Sequence, residues 1–191
     1  MLNLFSRRFS AVFKHSVRVP PLWCQRAPQI RNLATAHFPT ANHTGMDTGI
    51  QFGVEDGTYQ AIGQYEGLVK LVDRFYAAMD SLPEAEKIRQ MHRRNLALPH
   101  DKLVHFLSGW MGGPSIYGPK YGSINIPQWH SHLVIDEADR DAWLACMKFA
   151  LIELNYPQDL QEYLMAQLFR PAERIRQVSQ ARHNPPINPP V

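Results

Sequence analysis

The chain has 191 residues, 20 Lys+Arg against 17 Asp+Glu, a formal charge of +3 and 45% hydrophobic content. That length suits one domain with a real core and a tail at each end. Two cysteines with no C-x-x-C exclude a disulfide scaffold and a cysteine-held zinc or iron–sulfur site, and no run approaches the ~18 apolar residues of a transmembrane helix.

A pI near 9.0 suggests nucleic acid or membrane surfaces only until the charge is located. Residues 1–46 contain no Asp or Glu and carry Arg7, Arg8, Lys14, Arg18, Arg26 and Arg31. The remaining residues hold 14 basic against 17 acidic side chains, a net −3. At 100° per residue, Leu2, Phe5, Phe9, Val12 and Phe13 fall on one face and Arg7, Lys14 and Arg18 on the other. Arg-rich, acid-free and amphipathic is the composition of a mitochondrial transit peptide. The alternatives are a basic arm without structure or a misassigned start, which would leave the protein in the cytoplasm. Pro20 and Pro21 end any helix there, and the stretch with Asn42, Thr44, Gly45 and Gly49 reads as linker, assigned to 47–57.

The folded part is expected over 58–182. Leu68, Leu71, Val72, Phe75 and Met79 recur at three- and four-residue steps, a core-facing helix that Pro83 closes. Leu103, Phe106, Leu107 and Trp110 make a second helical face, stopped by Gly112-Gly113-Pro114. Residues 112–135, with Pro119 and Pro127, have no period and read mainly as loop with room for short helical turns. Asp136 looks like an N-cap with Asp139 three residues on, followed by Trp143, Leu144, Met147, Ala150, Leu151 and Leu154 on one face. Pro157 ends that helix. Leu160, Tyr163, Leu164 and Leu168 mark a fourth, with Pro171 near its end or at a kink before 172–180. The tail 183–191 is Pro-rich and extended. With no repeat and no alternating strand, the fold is all-α.

The segments Phe75-Tyr76, Phe106-Leu-Ser-Gly-Trp110-Met-Gly112-Gly113-Pro114, His130 and Arg140-Asp141-Ala-Trp143-Leu-Ala-Cys146-Met147 together resemble the group-two truncated haemoglobins. The resemblance runs from about 58 to 170. It implies a globin-like, truncated two-over-two helical sandwich around haem b, with His130, ten residues before Arg140, as proximal iron ligand. It further implies that Tyr76 and Trp143 line the distal side and donate hydrogen bonds to bound ligand. His92 falls where the family has a third distal residue; Leu103 and Phe106 stand against the porphyrin, and Met147 adds to the pocket. The chain departs from the pattern just before His130. Gly122-Ser-Ile-Asn-Ile-Pro127-Gln-Trp129-His130 lacks both arginines that usually hold that edge of the haem, propionates included. His132-Leu133 stands where Pro-Phe is usual.

The residues also carry their own chemistry. Haem needs one neutral imidazole, a large apolar slot, and polar groups only where the sixth ligand sits. Leu68, Val72, Phe75, Leu103, Phe106, Leu107, Met147 and Leu151 supply such a slot or an ordinary core. His130-Ser-His132 is equally half of a zinc site with His92, His100 or His105. Tyr76 and Trp143 each join an apolar ring to one donor, satisfied by bound ligand or by a backbone carbonyl. His92 is a third donor or a surface cap. Arg140 and Asp141 read as surface charges at a helix start, Cys146 as a buried inert thiol, and Arg93-Arg94 falls far short of a nucleic-acid patch.

The expected function is binding of dioxygen, carbon monoxide and nitric oxide by a His-ligated haem iron. Two distal donors would slow oxygen release, since a hydrogen bond to a charged acceptor contributes about 1.5–3 kcal/mol. Slow release suits nitric oxide or peroxide chemistry, or sensing, rather than bulk transport. Ligand binding is primary; NO dioxygenase- or peroxidase-like turnover would be a side activity, with an electron-donor reductase as partner. Oligomeric state is open. The alternative is a non-haem metal-binding or interaction module on a globin fold with an impaired pocket.

Overall fold

The computed structural model describes residues 50–184; the basic leader, residues 47–49 of the linker and residues 185–191 of the Pro-rich tail lie outside the described residues. Every regular element is helical: α1 Gly57–Ala61, α2 Gln64–Ser81, a 3₁₀ turn Pro83–Ala85, α3 Glu86–Met91, α4 Ala97–Trp110, α5 Tyr117–Tyr121, α6 Ile126–His130, α7 Glu137–Glu153 and α8 Gln158–His183. No helix among the described residues is long and apolar enough to cross a membrane.

The long helices pair. α2 packs on α4 and on α7, and α7 packs on α8, which gives two layers of two. The stripe read from α2 is the centre of the core: Leu68, Leu71, Val72 and Phe75 are each 0% exposed. Leu107 of α4, Met147 and Leu151 of α7 and Leu164 of α8 meet it from the other helices.

The ends of these helices follow local chemistry. α7 begins in a capping box: Asp136 accepts from the Asp139 amide at 2.9 Å and Asp139 accepts from the Asp136 amide at 2.9 Å. Lys87 of α3 donates to both carboxylates, at 2.8 and 2.6 Å, tying α3 to the start of α7. α4 stops where Gly112 takes φ +90, and a Cβ there would stand 1.8 Å from the Glu55 carbonyl oxygen, so only glycine ends the helix this way. Gly67 is equally tight: a Cβ would meet the Ile62 carbonyl oxygen at 1.8 Å.

The structure refines three expectations. Pro83 does close α2, yet it also opens a 3₁₀ turn that leads into α3, where proline is at home at a first position. The loop 112–135 contains two five-residue helices, α5 and α6. Of the two readings of Pro171, the one that ends the helix fails: α8 runs through it to His183.

Candidate functional site

His130 is the last residue of α6, a helix opened by Pro127 in its first turn. Its Nδ1–H donates to the Ile126 carbonyl at 2.8 Å, which commits that nitrogen and leaves Nε2 with its lone pair. Burial holds the imidazole below the ordinary histidine range; the Ile126 bond pulls upward, and His92 and His132 push it further down. The ring is therefore neutral near pH 7. Nε2 makes no hydrogen bond among the described residues, and no sealed side-chain nitrogen or oxygen there lacks a partner, so this nitrogen opens onto accessible space.

Tyr76 on α2 is 7% exposed. Its ring is edge-on to Phe75 at 5.0 Å and to His92 at 5.9 Å. Burial raises the phenol well above its usual range, so it stays a donor, and its hydroxyl is bonded to nothing among the described residues. His92, just after α3, spends Nδ1–H on the Ile88 carbonyl at 2.8 Å and turns its other nitrogen free. Trp143 on α7 is partly buried against Phe75, ring to ring at 5.2 Å. Tyr76, Phe75, His92 and Trp143 thus form one continuous ring cluster, and the charge of His92 is felt at His130.

Leu103 and Phe106 on α4 are partly buried and pack on the core; Phe106 stacks on Trp110 at 6.4 Å. Met147, by contrast, is 0% exposed and belongs to the centre of the core. His132 is exposed. Among the described residues no three His, Cys, Asp or Glu converge as metal ligands; His100 is paired with Asp73 at 2.8 Å and His105 with the Asp101 carbonyl at 2.7 Å. The Cys146 thiol is fully buried and pushed up to about 12, an inert group.

In the sequence His100 stands out only as a zinc partner and Lys102 is not singled out, yet both stand beside the site. His100 lies 6.2 Å from the Tyr76 ring. The Lys102 ammonium sits 5.2 Å from the Tyr121 ring and 5.6 Å from that of Trp129, the neighbour of His130. A lysine one residue before Leu103 was the available signal. Arg140 is more than a surface charge: at 12% side-chain exposure it donates to Glu173 of α8 at 2.6 Å. Cavities of about 260 Å³ near Trp110 and Tyr163 and about 310 Å³ near Lys148 and Met165 lie apart from Tyr76, Trp143 and His130.

One open imidazole nitrogen, two ring donors without partners among the described residues, and partly bared Leu103 and Phe106 are the donor set and walls that a haem requires. The residues present fit that group.

A family model described as bacterial-like globin matches residues 57–177. The chain is 32% identical over 110 residues to the group 2 truncated hemoglobin YjbI of Bacillus subtilis, covering 58% of this chain and 80% of that protein. Among solved structures it is similar to the group II 2-on-2 hemoglobin of Agrobacterium tumefaciens, with TM-score 0.59 and 34% identity over 62% of this chain and 92% of that one. It is also similar to the truncated oxygen-avid haemoglobin of Bacillus subtilis, with TM-score 0.56 and 31% identity over 62% and 97%.

Proposed function

The chain belongs to the bacterial-like globins, as a group 2 truncated haemoglobin, and from that membership we propose that it holds haem through His130 and binds diatomic gases beside Tyr76 and Trp143. The observation that carries this is the state of His130: neutral, oriented by Ile126, with Nε2 open. When bound, haem supplies a reducible iron with one position left for dioxygen, carbon monoxide or nitric oxide.

The chain's own residues do the rest. The Ile126 carbonyl fixes the tautomer and strengthens the basicity of Nε2. Phe75, Leu103 and Phe106 keep water from the apolar walls. Tyr76 and Trp143 donate to a ligand that accumulates negative charge, and both are free to do so because neither donor is spent on a group among the described residues. Tight retention follows, which favours nitric oxide or peroxide chemistry, or sensing, over bulk delivery. Lys102, which has no carboxylate partner among the described residues, supplies a cation beside Trp129 where the two arginines are missing.

Purified full-length protein titrated with haemin tests the reading. One equivalent should bind, giving a Soret band that shifts when the reduced form meets carbon monoxide. Protein that takes up no haemin would leave the interaction-module reading in its place.

A further inference from the structure

We propose that Ser179, near the end of α8, is a positioning residue for His130: its hydroxyl pins the loop that joins the helix carrying the metal ligand to the helix carrying Trp143. This rests on the reading of His130 as haem ligand. The loop is Ser131 to Ile135, between α6 and α7.

α6 cannot hold His130 by itself. It has five residues and no side-chain cap at its start, too short to be stable without outside contacts. Trp129 is packed against Tyr117 and Lys102, while the hydrogen bonds to the loop that follows His130 come from one helical turn of α8. Ser179 is 0% exposed. Its hydroxyl donates to the Leu133 carbonyl at 2.6 Å and accepts from the Ile135 amide at 2.9 Å. The Leu133 amide in turn donates to the carbonyl of His130 at 3.0 Å. Two hydrogen bonds joined through the backbone of Leu133 therefore connect α8 to the carbonyl of His130.

Two neighbours complete the latch. Gln180 Nε2 donates to the Ile135 carbonyl at 2.9 Å, and Arg182 Nη1 to the Ser131 hydroxyl at 3.1 Å. Ser131, directly after His130, is itself 3% exposed. Alternate loop residues 131, 133 and 135 are each held by a side chain from 179–182. All three latch residues lie beyond residue 177, where the match to the family ends. A hydroxyl suits Ser179's place because one atom both donates and accepts; alanine would strand a buried amide and a partly buried carbonyl at once. Since the loop also leads into the capping box of α7, the latch holds His130 and Trp143 in one register.

The test uses full-length protein reconstituted with haemin. In Ser179→Ala the iron–histidine stretching band in the resonance Raman spectrum of the reduced, ligand-free form should shift and broaden. Haem transfer to excess apomyoglobin should speed up on the order of tenfold, the lower range for losing an orienting partner. Ser179→Thr should restore the band. Arg182→Met, at an exposed helix end, should shift it less but in the same direction, and keeps the test alive if Ser179→Ala folds poorly. Leu160→Val, at the far end of α8, lowers stability without touching the loop and should leave the band where it is. An unshifted band in both Ser179→Ala and Arg182→Met overturns the proposal, as does an equal shift in Leu160→Val. A wild-type protein that takes no haemin, or a His130→Ala protein with an unaltered spectrum, overturns the underlying reading and the latch with it.

Discussion

Replacing Tyr76 by Phe removes one oxygen and keeps the ring, and the structure gives the effect two opposite signs on two quantities. The ring contacts with Phe75 and His92 survive. The hydroxyl has no acceptor among the described residues although the residue is 7% exposed, so the substitution costs no protein hydrogen bond. Folding stability should stay within about 0.5 kcal/mol of wild type or rise, whereas a tyrosine bonded to a carbonyl would lose about 0.5–1.5 kcal/mol. The bound gas loses a donor to a charged acceptor, about 1.5–3 kcal/mol, which is roughly a ten- to hundredfold faster oxygen release. Stopped-flow displacement of oxygen by carbon monoxide reads the rate, and thermal melting reads the stability. Carbon monoxide release, with less charge on the ligand, should change less. A variant destabilised by about 1 kcal/mol with an unchanged oxygen off-rate would refute the assignment of this hydroxyl to the ligand.

Glu173 accepts from Arg140 at 2.6 Å and from Arg176 at 2.6 and 2.8 Å, and its carboxyl falls from 4.5 to about 2, led by the Arg176 bond. A depressed carboxylate stabilises the fold above its unfolded value and loses that contribution as pH falls from about 4.5 toward 2. Glu173→Gln should cost about 1–2 kcal/mol at pH 7, after allowance for solvent screening, and flatten this acid limb in denaturant titrations; an unchanged acid limb contradicts it. Gly67→Ala should destabilise by about 2–3 kcal/mol in thermal melts, because the clash with the Ile62 carbonyl also disturbs the Tyr156 hydroxyl bound to it at 2.7 Å. Helix propensity alone predicts a gain of about 1 kcal/mol, so a stabilised variant refutes the packing argument. Lys102→Met should leave the apoprotein's melting unchanged and speed haem loss about two- to fivefold; an unchanged rate removes Lys102 from the propionate edge.

Long amphipathic periods were legible and short elements were not. The Leu68–Met79 stripe and the Asp136 cap with Asp139 stand in the structure as read, because propensity, capping and burial agree there. α3 turns only Ile88 fully inward over six residues, too short to show a period, and Pro83 in front of it reads as a stop although it is also a start. Met147 shares a helical face with Trp143, yet one turn separates the centre of the core from a half-open ring, a difference set by what α2 places opposite. Arg140 and Glu173 are 33 residues apart and Ser179 is 44 from Ile135; pairings across such distances leave no local trace. Ser179 sits in a run of arginines and glutamines that looks solvated. The proximal role proposed for His130 rests on a resemblance in spacing to Arg140, and the open Nε2 came only with the fold.

The central claim is that His130 supplies the iron ligand. The direct measurement is the absorption spectrum of reduced, haemin-loaded His130→Gly protein, with and without added imidazole and then carbon monoxide. The account predicts that the variant loses the wild-type Soret band and that free imidazole, entering the space left by the ring, restores it. A variant whose spectrum matches wild type without imidazole would contradict the claim.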